Sequence, residues 1–529
     1  MADTSDAVVV GGGHNALVAA AYLASAGLSV IVLERESLLG GDAASEELTL
    51  PGFVHDVAAS AHTVFQQNPL VRDDELGLLT FGLRYLRPDP VFALPFADGG
   101  CLVMHRDPDR TAVEIGRCDA ADGEAYLRLL ADWRALAPLQ AEERERPPLS
   151  PEEFVRHWRS GPLGDEGLRI RMSSGLEIIR ERFSHPRVRA LLAWASTLTF
   201  EAIDEAGTGL LPFALTAGRQ LHSWTTPEGG SGALIDALQK LIAARGGRIE
   251  TNADVTRILL RDGRAVGAET ADGRRFLARR AVVTGQHVTQ LPTSLPPGSI
   301  DEESMQYVRR WRAGLTMFVG HYALRRAPSY RGREGAVQAV AMGQLSSEDA
   351  LLRNLAAFRV GETTLRDPFL LAINSSLVDP SRAPDGAHTL KLISIQPYAL
   401  HEGPEHWDRV KGEVGQAMLG AYLRHTTNLD EDDVLAEALE SPLDLERRNQ
   451  NNFRGSGHGG AAHFGQYGHY RPAPRWNAYR TPIPSLYLTG STTHPGGSVS
   501  GYPGRNAALA VYEDLGIALE DVRARWRGR

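Results

Sequence analysis

The sequence predicts an α/β fold: a central parallel sheet carrying an antiparallel meander, interrupted by an inserted α+β region. Three observations predict it. A strand, glycine turn, helix and second strand fill residues 7–34. A helix followed by short strands and two Asp-Gly turns fills residues 233–285. An apolar strand ending in glycine recurs near the C-terminus at Ser485–Gly490.

Ala7-Val-Val-Val10 is a short buried strand. Asn15–Ala26, rich in Ala and Leu and free of Pro, is a helix ended by Gly27. Ser29-Val-Ile-Val-Leu33 follows as a second β-branched strand. The whole is a βαβ unit of about 30 residues with parallel strands. In the second block Ala233–Arg245 is a helix closed by Gly246-Gly247, and Arg248–Thr251 is a strand. Val255–Arg261, Ala265–Thr270 and Arg274–Leu277 are short strands separated by Asp262-Gly263 and Asp272-Gly273, which are strong hairpin signals. Ala281–Gly285 and Ser485–Gly490 read as core strands of one sheet. Between the blocks Tyr126, Leu129, Leu130 and Trp133 follow helical spacing, and Glu142–Pro151, charged and proline-rich, reads as an exposed connection. The expected division is a discontinuous nucleotide domain (1–75, 225–295 and 475–529) and a substrate domain (76–224 and 296–474).

With 529 residues the chain exceeds one compact core. A formal charge of −9 excludes the broad basic surface of a nucleic-acid binder. Two cysteines, Cys101 and Cys118, exclude a disulfide framework and a Cys-rich metal site. Residues 1–6 carry no Lys or Arg, unlike the basic start of a signal peptide, and the early apolar stretch is broken by Gly11-Gly-Gly13-His-Asn15. The expectation is a cytoplasmic protein with no transmembrane segment, peripheral membrane contact staying open.

Gly11-Gly-Gly13-His-Asn-Ala16 fits the G-x-G-x-x-[GA] turn of a dinucleotide site. Gly11 permits the tight turn, Gly13 lets the pyrophosphate approach the backbone, and Ala16 lets the helix lie close on the strand; the helix N-terminus, with His14 and Asn15, offers N–H groups to phosphate. Glu34 ends the second strand, where a carboxylate can accept hydrogen bonds from a ribose diol. Arg35 and the pair Gly40-Gly41 come directly after it, an arrangement that resembles the FAD-specific members of the Rossmann group more than NAD dehydrogenases.

The segment from Leu486 to Ala507, with Gly490-Ser-Thr-Thr-His-Pro-Gly-Gly-Ser498 at its centre, resembles the closing signature of the phytoene desaturase-related flavoproteins. That group includes bacterial carotenoid desaturases, retinol-saturase-like enzymes and proteins of the pyridine nucleotide-disulphide oxidoreductase domain 2 type. Pro51-Gly-Phe53 to Ser60, the Pro227–Val255 block, Arg471-Pro472 and Thr481-Pro482 agree with it. The resemblance implies an α/β fold with a Rossmann-type, glutathione-reductase-like FAD-binding domain and an inserted α+β substrate domain. It implies that Gly490 and Ser491 lie under the ribityl–phosphate portion of FAD and that Pro495, Gly496 and Gly497 pass the isoalloxazine closely. The helix beginning near Gly501 would aim its N–H groups at the flavin's pyrimidine edge, and Val255 would contact adenine through its backbone; Gly285 and Val499 complete the expected cofactor set. Two departures stand out: Ser498 replaces a glycine, and Ser491 an acid, that relatives often carry.

Catalytic candidates are Ser60 and His62, after Asp56-Val-Ala-Ala59, together with Tyr467 and His494. No adjacent base and orienting group accompanies any of them, so no nucleophilic triad is read. His458, His463 and His469 have spacings of five and six that match no zinc pattern, and no metal is expected; Gly455–Tyr470 reads as a loop near the substrate cavity. The implied activity is FAD-dependent hydride transfer between a substrate C–H and flavin N5, with desaturation of a C–C bond in a hydrophobic or cyclic small molecule, carotenoid-like or a secondary metabolite. The electron acceptor stays open between oxygen and quinone. Alternatives on the same scaffold are a flavin amine oxidase using Tyr467 and Tyr470 as an aromatic pair, a carotenoid ketolase and a redox-neutral isomerase. From another class comes a flavin-free prenyl-binding escort protein.

Overall fold

The computed structural model describes residues 3–333 and 335–526. The remaining positions, which fall inside the expected boundaries 1–75, 296–474 and 475–529, lie outside the described residues. Strand β1 (Asp3–Val10), helix α1 (His14–Ser25) and strand β2 (Val30–Leu33) form the βαβ unit, with Ala7 opposite Val30 in parallel register. Side chains of α1 are buried all round, including Leu17, Val18, Tyr22 and Leu23, because the helix lies between the sheet and two further helices, Gly232–Ala244 and Tyr502–Leu515. Each such apolar side chain contributes roughly 1.5–3 kcal/mol of burial. The approach to the C-terminal helix is close enough that a Cβ on Gly504 would collide with the Asn15 carbonyl.

The first sheet has the order Val255–Arg261, Arg264–Thr270, Arg275–Thr284, β1, β2, Arg248–Glu250, and Leu486–Leu488 pairs in parallel with Val282–Thr284. Asp262 and Gly263 both take positive φ (+52° and +74°), as a two-residue hairpin turn demands. One expectation is corrected: Arg274–Leu277 and Ala281–Gly285 are one continuous strand, Arg275–Thr284. Its middle arginines, Arg279 and Arg280, are exposed, and the Arg279 guanidinium pairs with Asp6 on β1 at 3.0 Å. Charges that look like a break in the sequence therefore lie on the strand's solvent side.

The second sheet has the order Val434–Glu440, Met317–Leu324, His388–Ile395, Leu370–Ile373, Ala341–Gln344, Phe92–Pro95, Cys101–Met104. Helices Ala120–Arg144 and Pro186–Ser196 share its largest apolar core. Trp194 meets Phe92 edge to face at 5.3 Å and donates its indole N–H to the Leu370 carbonyl at 2.9 Å. Glu142–Pro151 is a second correction. Helix Ala120–Arg144 runs into it, and Glu143 is buried, accepting from Trp158 Nε1 at 3.1 Å. Among the described residues no helix is long and apolar enough to cross a membrane.

A buried ionic cluster ties the chain ends together. Arg505 grips the Glu75 carboxylate with two hydrogen bonds of 2.8 and 2.9 Å, and Arg523 and the Tyr22 hydroxyl reach the same carboxylate. Its side chain is wholly buried.

Candidate functional site

β1 delivers the chain into the glycine turn. Gly11 takes φ +97° and donates its N–H to the Leu33 carbonyl at 2.8 Å, bending the backbone across the ends of two strands. Gly12 N–H donates to a Glu34 carboxylate oxygen, and a Cβ on Gly12 would lie 3.0 Å from Glu34 Cβ. Gly13 differs: its backbone is ordinarily extended (φ −67°, ψ 157°), and a Cβ there would meet nothing within 4 Å. No side chain caps α1, and Nε2 of His14 and Oδ1 of Asn15 are buried without a partner beside that open space. Burial pulls His14 down to about 4, so its imidazole is neutral.

The second glycine pair is brought against the first. Gly40 N–H donates to the Gly12 carbonyl at 2.9 Å, Gly13 and Gly40 form a parallel bridge, and Gly40 and Gly41 take φ +111° and +55°. Glu34 also accepts from Glu36 N–H at 2.8 Å, while the Arg35 guanidinium turns to the Glu36 carboxylate at 2.8 Å. Val255 opens its strand beside Ala253 and Asp254, and all three face the same space.

The C-terminal segment closes the cradle. Gly285 N–H donates to the Val10 carbonyl at 2.8 Å, and Gly490, at φ +92°, faces Gly285 so closely that a Cβ on Gly490 would lie 3.3 Å from the Gly285 oxygen. The Ser491 carbonyl accepts from the buried Arg471 guanidinium at 2.6 and 3.1 Å. A Cβ on Gly497 would overlap the His458 backbone. Ser498 takes φ +86°, a left-handed conformation that costs a non-glycine residue about 1 kcal/mol. Ser498→Gly is expected to raise stability by about 0.5–1 kcal/mol, read by thermal melting.

These elements enclose a cavity of about 500 Å³. Gly11, Gly13, His14, Asn15, Ala16, Glu34, Arg35, Gly40, Gly41, Val255, Gly285, Gly490, Ser491, Gly497 and Val499 line it, together with Ser60. Its other side is apolar. Leu198, Phe200, Leu215, Leu371, Ile373 and Ile393 come from the second sheet and its helices, and His458 from the glycine-rich loop lies beside Phe200. Burial lowers His458 to about 4, so it too is uncharged.

Several expected residues lie elsewhere. Pro495 and Gly496 are absent from the lining, and Gly496 packs on the Arg471 side chain. His494 is fully buried and bonded through Nε2 to the Glu143 carbonyl at 2.8 Å. Tyr467 faces His494 at 5.8 Å and lies under the Arg171 guanidinium at 4.8 Å. His62 bonds Ser231 Oγ at 3.0 Å and Tyr85 at 3.3 Å, and burial pushes it down to about 3. His494, Tyr467 and His62 are each held by buried polar neighbours and stay outside the cavity lining. Ser60 does reach the cavity, but its hydroxyl accepts from Lys391 Nζ at 2.6 Å, which also donates to the carbonyls of Ala58 and Asp56 at 2.6 and 3.2 Å. Burial lowers Lys391 to about 8, and the lysine pins the loop that follows Asp56. The helix Tyr502–Leu515 starts just beyond the residues that line the cavity. Gly501 is pressed against the Phe65 ring, and the Ser500 carbonyl accepts from Asn68 Nδ2 at 2.8 Å, so the lining stops at Val499.

Residues that sequence reasoning missed include Arg219, Trp224, Asp42 and the amide run Asn449-Gln450-Asn451-Asn452, all facing the cavity. Asn449 and Asn452 each donate to Asp42 at 2.9 Å, and Asn451 donates to the Gly285 carbonyl at 3.0 Å. Four consecutive amides were the available signal. Arg219 and Trp224 carried none.

A profile of flavin containing amine oxidoreductases matches residues 17–312. The chain belongs to that family. A limonene dehydrogenase polypeptide of Castellaniella defragrans is 28% identical, with 97% of this chain and 95% of that protein covered. Pyridine nucleotide-disulfide oxidoreductase domain-containing protein 2 of Mus musculus is 29% identical over 96% of this chain and 94% of the relative. The neurosporene-forming phytoene desaturase of Cereibacter sphaeroides is 23% identical over 96% and 94%. Among solved structures, a putrescine oxidase variant superposes with a TM-score of 0.61 at 14% identity, covering 99% of this chain and all of that one. An oxidoreductase from Methanosarcina mazei gives 0.60 at 17%, covering 96% and 99%. This member of the flavin amine oxidoreductase family is an FAD-dependent oxidoreductase. The residues present fit that cofactor: an uncapped helix N-terminus, a glycine with free space above it and orphaned polar atoms all face one cavity.

Proposed function

We propose that the protein desaturates a C–C bond of an apolar, cyclic or chain-like small molecule; FAD held in the cradle would take the hydride lost from one carbon, and the proton lost from its neighbour would pass to water. The observation that carries this is that one cavity has both linings: the apolar residues Leu198, Phe200, Leu215, Leu371, Ile373 and Ile393 share it with Gly490, Ser491, Gly497–Val499 and the turn at Gly13. Bound FAD supplies a two-electron acceptor. The chain's own residues do the rest. The first turn of α1 offers N–H groups and a positive dipole end to the pyrophosphate, Glu34 accepts from the ribose diol, and the Val255 backbone meets adenine. Segments 1–75, 225–295 and 475–529 would then form the FAD-binding unit and the rest the substrate unit. The apolar wall orients the substrate and excludes water, and neutral His458 adds no charge beside it.

The names limonene dehydrogenase and phytoene desaturase among the relatives agree with an apolar substrate. Tyr467 and Tyr470, the aromatic pair expected for amine oxidation, are not among the residues that line the cavity. The test is anaerobic mixing of FAD-loaded protein with a panel of terpenes, terpenoid acids and primary amines. Bleaching of the flavin by a terpene skeleton, with loss of two hydrogens from the product mass, is expected. Bleaching by amines alone, with aldehyde formed, would overturn the assignment.

A further inference from the structure

Arg219 is a buried arginine whose Nε and Nη1 find no acceptor among the described residues. It is 7% exposed and lines the apolar side of the cavity. Its guanidinium lies over the Trp224 ring at 4.3 Å. Trp224 is itself 2% exposed, faces the same cavity, and its indole N–H is equally unpaired. Burial alone drags the guanidinium down to about 10, and no carboxylate among the described residues acts on it. Two other buried arginines differ: Arg382 lies 3.1 Å from the Asp56 carboxylate, and Arg471 donates to the carbonyls of Ser491, Ala461 and Gln466.

Position and backbone point the same way. Arg219 follows immediately on a six-residue π-helical stretch, Phe213–Gly218, inside the helical run 211–222. Widened turns of this kind are uncommon and concentrate at functional sites. Leu215 and Arg219, four residues apart on that run, both face the cavity. A dry, charged group with unused donors in a binding cavity is costly unless a ligand completes it. A wholly hydrocarbon substrate would leave it incomplete.

We propose that Arg219, with the Trp224 indole N–H beside it, is the anchor for a substrate carboxylate, so that the molecule oxidised is an apolar skeleton carrying an acid group. The inference rests on the reading of this cavity as substrate space. Planar guanidinium donors match a carboxylate's two oxygens, and the aromatic face below fixes their plane. The acid end then holds the apolar body among Leu198, Leu215, Leu371 and Ile393. Arg219 is thus a specificity-determining residue that makes no contribution to hydride transfer itself.

The test uses FAD-loaded protein titrated with cyclohexanecarboxylate and, separately, with cyclohexanecarboxamide, each followed by perturbation of the flavin spectrum. Wild-type protein is expected to bind the acid at least about tenfold more tightly than the amide. Arg219→Met should abolish that preference, the affinity for the acid falling by more than that for the amide. It should also raise the melting temperature, because it removes a buried charge that lacks a protein partner. Arg219→Gln, which keeps a donor and loses the charge, should likewise lose the preference and guards against failure of the first variant to fold. A purely structural role on Trp224 would lower the melting temperature and leave the acid-to-amide ratio intact. Equal binding of the two probes by wild type, binding of neither, or an unchanged ratio in the variants overturns the proposal. A protein that takes up no FAD at all would instead overturn the flavoenzyme reading, so the two failures are distinguishable.

Discussion

Gly13→Val is expected to yield a folded protein that no longer takes up FAD. The backbone at Gly13 is in the extended region that β-branched residues favour, and a Cβ there meets no atom within 4 Å. The fold therefore has no reason to object. The space into which the valine projects, however, lies at the start of α1, where the helix N-terminus would receive the pyrophosphate. FAD affinity should fall by about 100-fold or more, corresponding to about 2.7 kcal/mol. Far-UV circular dichroism and the melting temperature of the FAD-free protein should match wild type. Gly12→Val supplies the contrast: its side chain would strike Leu39 and Glu34, so the fold itself should suffer. FAD bound at wild-type affinity by the Gly13 variant would show that the pyrophosphate passes elsewhere.

Glu75→Gln should cost more stability than any other substitution named. The carboxylate serves Arg505, Arg523 and Tyr22 at once, joining α1 to the two last helices. Its removal leaves the Arg505 guanidinium, 5% exposed, without its counter-ion. Breaking a buried pair from one side costs roughly 3–5 kcal/mol. Replacing Arg505 as well, by Met, should recover part of that loss in a double-mutant cycle, since the orphaned charge goes with it. Burial works to raise the Glu75 carboxyl, but the bonds and charge of Arg505 override it and hold the group at about 2, against an ordinary 4.5. Its folded-state value is depressed, so the contribution is full above about 4.5, declines below it, and is gone once pH falls through about 2. Wild type should lose stability over that acid window more steeply than Glu75→Gln, measured by denaturant titration at several pH values.

The first sheet and its glycine turns were legible because their constraints are local. Gly11, Gly40 and Gly490 occupy left-handed backbone, and Asp262-Gly263 makes a two-residue hairpin; such needs select residue types over a few positions. The strand Arg275–Thr284 was cut in two because Arg279 and Arg280 look like a loop until Asp6 is seen opposite the first of them. The apolar side of the cavity was hidden for the opposite reason. Leu198, Leu215, Leu371 and Ile393 arrive one at a time from distant elements, and each looks like an ordinary core residue. Arg219 is one arginine among many in the sequence, and only its missing partner distinguishes it. Glu75, in the run Asp73-Asp74-Glu75, reads as a solvated charge until Arg505 arrives from the far end of the chain. His62 and His494 turn to buried partners, Ser231 and the Glu143 carbonyl, which proximity to a motif in sequence does not reveal.

The most direct test of the account is the visible absorbance spectrum of the purified wild-type protein, with the mass of any chromophore released on denaturation. A flavin spectrum and a released mass equal to that of FAD is the predicted result. A colourless protein that also fails to take up added FAD would contradict it.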